Sequence, residues 1–134
     1  MKATVRELES KLLRTSGDKE RLEVLLELAR AHAAEFQNRE GLRASREALS
    51  IARRLKNSIG VGQALSAATL CHYQPGGDHV SAVATGLDAV EAYADGDVLG
   101  RSRALQSIAL ALFAVEAFDL AEQTALRAVE DARA

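Results

Sequence analysis

Three histidines and a single cysteine are the first side chains of this sequence to consider as ligands of a transition metal ion or as a nucleophile. His32 and His72 stand forty residues apart (72 − 32 = 40), and Cys71 and His79 lie close to the second of them. A zinc site needs three or four converging ligands at recognised spacings, which these residues do not provide. A buried cysteine on a helix is usually an inert small hydrophobe. We therefore expect His32 and His72 to be structural, since a histidine there can pack its ring in the core and satisfy one nitrogen with a backbone carbonyl, and we expect no metal or cofactor.

A stripe of arginines is the second chemically suggestive feature, and it consists of Arg39, Arg43, Arg46 and Arg53 or Arg54. Such a stripe can contact the phosphates of a nucleic acid. Glu40 and Glu47 interrupt it, however, and the whole chain carries 19 acidic against 17 basic residues. We interpret the stripe as a solvated outer face and expect no nucleic-acid partner.

A glycine-rich turn, QPGGD at residues 74–78, raises the question of phosphate binding. It has neither the GxxxxGK[ST] spacing of a phosphate-binding loop nor a strand before it. The sequence also offers no nucleophile, base and oxyanion donor that belong together. We therefore do not expect an enzyme.

The composition indicates which elements must carry these residues. The chain has 134 residues, of which 48% are hydrophobic and only 4% aromatic, so one core built from Ala, Leu and Val is expected. A single proline and the absence of alternating apolar runs predict an all-α protein. The charged N-terminal segment MKATVRELESKLLRT resembles neither a signal peptide nor a membrane span. We expect a cytoplasmic protein without a membrane partner.

An internal repeat organises the sequence. The row Ala121, Ala125, Ala128 and Val129 recurs upstream, and the matching rows are Ala82, Gly86, Ala89 and Val90, then Gly41, Ser45, Ala48 and Leu49. The period is close to forty residues (89 − 48 = 41 and 128 − 89 = 39). Such a period with helical apolar spacing is typical of a solenoid of helical hairpins. Small residues in these rows would let a partner helix approach closely.

A second set of rows lies upstream of each small-residue row and predicts the partner helices. These rows step i, i+3, i+4, i+7, as one stripe of a helix does: Leu25, Leu28, Ala29 and His32; Leu65, Ala68, Thr69 and His72; Leu105, Ile108, Ala109 and Leu112. With turn residues between them, the rows predict seven helices, at about 3–15, 20–37, 40–56, 60–73, 78–94, 98–115 and 118–132.

The repeats resemble the tetratricopeptide repeat (TPR). "AFDLAEQTALRAVEDA" is the closest match and "NREGLRASREALSIARRL" is similar, with the resemblance covering about residues 20–133. The repeat is longer than the usual length of about 34 residues, no Trp occurs, and the usual Tyr of the first helix is His32, His72 or Leu112. "LLELARAH" and "EALSIARRL" are also similar to TPR regions ahead of GGDEF-type diguanylate cyclase domains in bacterial signalling proteins.

The resemblance implies a fold and its divisions. The fold is all-α, a right-handed α-solenoid of three TPR-like hairpins plus an N-terminal helix, in a single domain over residues 1–134. Residues 1–16 form the N-terminal helix, and the repeats span 17–56, 57–95 and 96–134. Val5, Leu8, Leu12 and Leu13 would place the first helix over repeat 1 as a cap.

The resemblance also implies a groove on the concave face, formed by the first helix of each hairpin. Transferred residue by residue, it is lined by Glu23, Leu26 and Arg30, then Gln63, Ser66, Leu70, Tyr73 and Gln74, then Arg103, Gln106, Leu110 and Phe113. This mixture of amide, charged and aromatic side chains suits an extended or helical peptide. The alternative is a shallow face that stays solvated.

The C-terminal helix carries Leu120, Leu126 and Val129, which one neighbouring helix cannot cover together. An uncovered last repeat exposes apolar surface. We expect either continuation into an effector domain or a symmetric homodimer through these three residues. Residues 1–67 carry a charge of +4 (13 − 9) and residues 68–134 a charge of −6 (4 − 10). This charge asymmetry can guide an end-to-end contact between molecules or a contact with a partner domain. The alternative is that the two halves simply have solvated surfaces of different charge.

These observations favour a non-catalytic interaction scaffold. Its partner would be a protein, a peptide or the chain's own downstream domain, and the chain would be a regulatory or sensory segment of a bacterial signalling protein of the diguanylate cyclase type. The alternative is an architectural dimerisation module without a groove ligand.

Overall fold

Seven helices make up the regular structure of residues 3–74, 77–93, 97–114 and 116–133, which are the residues described by the computed structural model. The helices are α1 Val5–Leu13, α2 Asp18–Ala34, α3 Asn38–Arg54, α4 Ser58–Tyr73, α5 His79–Ala92, α6 Val98–Ala114 and α7 Phe118–Arg133. No strand occurs in the described ranges. The predicted all-α class and the seven helices are confirmed. Predicted turn residues Pro75, Gly76, Asp95 and Gly96 lie outside the described residues.

The helix ends agree with the prediction to within three residues, the largest difference being residue 37 against Ala34 at the end of α2. Side-chain caps explain several starts: Asn57 accepts a hydrogen bond from the Gly60 amide at 2.9 Å, and Asp78 accepts one from the Val80 amide at 3.0 Å. Helix α2, by contrast, begins after Gly17 with no side-chain cap, and Asp18 is already its first residue.

Each helix packs against the next one along the chain, from α1 to α7. In addition α2 contacts α4, and α4 contacts α6. Within the described ranges, α3 and α5 share no contact, and neither do α5 and α7. The first helices of successive hairpins therefore touch one another, whereas the second helices are spread apart.

The core follows the two sets of rows predicted from the sequence. Leu25, Leu65 and Leu105 are 1%, 8% and 1% exposed. Ala48, Ala89 and Ala128 are each 0% exposed. One buried cluster lies around α1 to α4 and a second around α4 to α7. Leu49 and Val61 pack against both clusters, so the apolar interior runs through the repeats without interruption.

Ala89→Leu is expected to lower the free energy of unfolding by about 1–3 kcal/mol, because the added carbons have no space between close-packed helices. Ala89 has no exposed surface, whereas Ala84 on the same helix is exposed. Ala84→Leu is the matched control and should leave stability nearly unchanged. Chemical denaturation of both variants measures the difference, and equal midpoints would show that the small row does not face another helix.

Candidate functional site

A cavity of about 390 Å³ lies on the face formed by α2, α4 and α6. Seven of the residues predicted to line a groove line this cavity: Arg30 of α2, Gln63, Ser66 and Leu70 of α4, and Arg103, Gln106 and Leu110 of α6. The lining is completed by residues that sequence reasoning did not assign to it, namely Ala67, Tyr93, Asp97, Gly100 and Ser107. We call this cavity the inner groove.

Four of the other predicted groove residues lie elsewhere. Glu23 is exposed but does not line the cavity. The Tyr73 ring packs edge-to-face on the ring of His79 at 5.8 Å, and the Gln74 side-chain amide donates to the Ala33 carbonyl oxygen at 2.6 Å. Phe113 lines a different groove, described below.

Leu26 requires a correction. It was predicted to face the groove, but it is only 5% exposed and belongs to the same buried cluster as Leu8 of α1. The N-terminal helix packs on α2, which gives α2 a neighbour that α4 and α6 do not have. An apolar side chain at this position is therefore part of the core.

Tyr93 contributes its ring to the wall of the inner groove from the end of α5. Its ring is held between two glycines: a Cβ atom built on Gly62 would lie 2.6 Å from its Cζ atom, and one built on Gly100 would lie 2.9 Å from it. Any side chain at either position would collide with the ring. The two glycines thus let α4 and α6 approach a large aromatic ring that is only 4% exposed.

Charged and polar neighbours surround the Tyr93 hydroxyl. Burial raises the pKa of Tyr93, and Asp97 raises it further, whereas the Ser66 side chain and the Arg30 and Arg103 guanidinium groups act in the opposite direction. Burial is the largest of these effects. Tyr93 is therefore a neutral hydroxyl at neutral pH, able to donate or accept one hydrogen bond at the groove wall.

Tyr93 gives a pH prediction. Because its pKa is raised above the ordinary value of 10.0 in the folded state, folding favours the neutral phenol. Its contribution to stability is complete below that ordinary value and is lost as the pH rises through the raised value. We expect the unfolding free energy of wild type to fall relative to that of Tyr93→Phe as the pH rises from about 8 to about 11, a range that spans tyrosine ionisation. Urea denaturation measures it, and a constant or oppositely directed difference would contradict the assignment.

The described lining of the inner groove has an excess of positive charge. Among these residues, Arg30 and Arg103 stand with a single carboxylate, Asp97. Neither guanidinium group lies within 4.0 Å of a carboxylate in the described part of the chain. Arg30 is held in place because its Nε donates to the Leu26 carbonyl oxygen at 3.2 Å. These two arginines can therefore offer hydrogen-bond donors to an anionic group.

The histidines and the cysteine do not gather into one site. No group of three or more metal-ligating side chains occurs among the described residues. His32 is 6% exposed, and its Nδ1 pairs with the Gln37 side-chain oxygen at 2.6 Å. The expectation of a backbone carbonyl partner is therefore wrong for His32. Burial raises the pKa of Cys71 to about 11, so this thiol stays protonated at neutral pH and is a poor nucleophile.

The arginine stripe lies on the exposed surface of α3. Arg54 pairs with Asp18 at 3.5 Å. Burial lowers the pKa of the His72 ring, and Arg46 lowers it further, whereas Asp78 raises it. The exposed stripe lines none of the grooves described here. None of the described helices is long and apolar enough to pass through a bilayer.

A second, more apolar groove of about 550 Å³ lies between α6 and α7. It is lined by Gln106, Ala109, Leu110, Phe113, Ala121, Glu122 and Ala125. We call it the end groove. The three residues predicted to mediate self-association are exposed, with Leu120 at 56%, Leu126 at 57% and Val129 at 43%, and none of them lines the end groove.

Leu120 lines a separate shallow cavity on the other side of α7, together with Leu87 and Arg127. The predicted self-association residues therefore do not form one patch that a single partner helix would cover.

The comparisons identify no relative from which a function could be transferred. No protein-family model, no curated protein and no solved structure matches this chain. The resemblance to the TPR family therefore stays a prediction that rests on the residues quoted above.

Proposed function

We propose that this chain is a non-catalytic interaction scaffold, built as a right-handed TPR-like solenoid of three hairpins. The contacts between α2 and α4 and between α4 and α6, without equivalent contacts among the described residues of α3, α5 and α7, support it. In a stack of two layers of helices, the layer whose helices lie close together is shorter than the layer whose helices are spread apart. The stack therefore curves toward the shorter layer. The concave face is then the one that carries the inner groove.

The inner groove binds a peptide segment with at least one acidic side chain. The observation that carries this proposal is the convergence of Arg30, Gln63 and Arg103, from three successive first helices, on one cavity. Amide and guanidinium groups suit the polar edge of a peptide, and Leu70 and Leu110 offer apolar contacts. Among the lining residues that the structure describes, two arginines against one aspartate give a net positive charge.

The test is selection of peptides from a random display library on the immobilised protein, followed by calorimetry of the enriched peptides. Wild type should select peptides with acidic residues. Arg30→Gln/Arg103→Gln should weaken their binding by at least tenfold, which corresponds to about 1.4 kcal/mol. The loss follows from removing both cationic donors of the groove.

Arg43→Gln/Arg53→Gln is the matched control, since it removes two exposed arginines of α3 and leaves the inner groove unchanged. Its affinity should equal that of wild type. Equal weakening by both double variants would mean that the binding depends only on overall charge. Failure to enrich any peptide would contradict a peptide-binding groove.

The second candidate is an architectural dimerisation module. The exposure of Leu120 and Leu126 on α7 favours it. Light scattering distinguishes the two candidates: a dimer that Leu126→Glu converts to a monomer, together with no selected peptide, supports the architectural role. A regulatory place beside a GGDEF-type domain rests on the resemblance alone and stays a prediction.

A further inference from the structure

The three repeats differ in how deeply they bury one row of their second helices. In the first two repeats, Ser45 and Ala52 of α3, and Gly86 and Tyr93 at α5, are buried. The equivalent residues of α7 are Ala125 and Ala132, and both are exposed. These positions are therefore buried in the first two repeats and exposed in the third.

The chain itself shows what covers this row. A Cβ atom built on Gly41 of α3 would lie 2.5 Å from the Cys71 sulfur of α4. One built on Gly86 of α5 would lie 2.5 Å from Cγ1 of Ile108 in α6. In each case the occupant is the first helix of the following hairpin, packed against the small residues of the row.

The end groove is the third position of this series. Ala121 and Ala125 form its floor on α7, and Phe113 and Leu110 of α6 stand beside them at 63% and 52% exposure. None of the described helices packs there as α4 packs on α3. Large exposed apolar surface of this kind marks an interaction site.

We infer that the end groove binds a mostly apolar α-helix of the α4 type, rich in small residues and supplied by a partner polypeptide. The row in the second repeat contains Gly86, which leaves space for Ile108. Transferring this register to the first repeat assigns Ala68 of α4, a smaller residue than Ile108, to the position opposite Ser45. Because the third row has Ala125 at this position, its occupant carries a small residue there, as α4 does.

Two further features define the occupant. Glu122 lines the end groove at the position that Val83 and Leu42 occupy in the other repeats. An occupant without acidic residues, as α4 is, meets no like charge at this position. A second copy of the chain does not supply such a helix, because the apolar stripe of α1, with Leu8 at its centre, already packs on α2. The helices α2 to α7 pack on one another.

The experiment uses the full chain, labelled with ¹⁵N, and a synthetic peptide of residues 57–74. The peptide carries Ser in place of Cys71, and a lactam bridge between positions 59 and 63, on the side opposite Ala68, keeps it helical, as circular dichroism verifies. Titration should shift the amide signals of α6 and α7 around Phe113, Ala121 and Ala125. A peptide of residues 97–114, which carries Ile108, should bind at least tenfold more weakly.

Matched variants separate the end groove from other surfaces. Ala125→Gln should weaken binding of the first peptide at least tenfold, whereas Ala84→Gln, on the exposed side of α5, should leave it unchanged. Arg30→Gln/Arg103→Gln should also leave it unchanged, so this test is independent of the inner groove. The inference is wrong if the peptide does not bind, if the shifts lie on other helices, or if Ala125→Gln has no effect. Shifts of the same signals on concentrating the protein alone would show instead that a second copy covers the groove.

Discussion

Leu105→Ala is expected to lower the free energy of unfolding by about 2–5 kcal/mol, the largest loss of any single substitution considered for this chain. Leu105 is 1% exposed and belongs to the buried cluster around α4 to α7. Its removal leaves a cavity that the surrounding helices can close only in part. The loss therefore contains both the transfer free energy of the deleted carbons and the cavity term.

Urea denaturation measures this effect, and Leu126→Ala is its control because Leu126 is 57% exposed. The control variant should differ from wild type by no more than about 0.5 kcal/mol. Similar losses in the two variants would mean that Leu105 does not lie in a close-packed core. The assignment of Leu25, Leu65 and Leu105 to the buried apolar stripe of the first helices would then be wrong.

Gly62→Leu should lower the free energy of unfolding by about 3 kcal/mol, at the upper end of overpacking effects. The new Cβ atom would collide with the Tyr93 ring, and on its other side that ring packs closely against Gly100. The variant should also lose peptide binding, because Tyr93 lines the inner groove. Thermal and chemical unfolding measure the first effect and calorimetry the second.

A double-mutant cycle with Tyr93→Ala tests the cause. If the collision with the ring is responsible, the double variant should be more stable than the sum of the single effects by about 1–3 kcal/mol. Gly17→Leu is the control, since no atom lies within 4 Å of a Cβ built there, and it should cost less than about 1 kcal/mol. Strict additivity of Gly62→Leu and Tyr93→Ala would exclude the proposed clamp.

The helices could be predicted because the same spacing of apolar and small residues occurs three times in the sequence. Leu25, Leu65 and Leu105 recur at one spacing, and each is buried as an apolar stripe requires. Ala48, Ala89 and Ala128 recur at the second spacing, and each is fully buried. Repetition of one local pattern makes each helix a check on the others.

The inner groove could be predicted only in part, since its lining is not fully repeated. Tyr93 was missed because its equivalents, Ala52 and Ala132, are small. The available signal was Gly62 within a helical pattern, which indicates close approach of another group. Leu26 was placed wrongly because α2 was treated as equal to α4 and α6, although α1 covers it. A repeat pattern treats all first helices alike, so it cannot show that one of them, α2, has an additional neighbour in α1.

Mapping a selected acidic peptide on the ¹⁵N-labelled chain tests the central claim most directly, because it locates the bound ligand on the three first helices or elsewhere. The account predicts that the shifted amide signals belong to α2, α4 and α6 and include Arg30, Gln63 and Gln106, with Tyr93 beside them. It also predicts that signals of the exposed side of α3 stay in place. Shifts concentrated on α3 and its arginine stripe, with those of the inner groove unchanged, would contradict it.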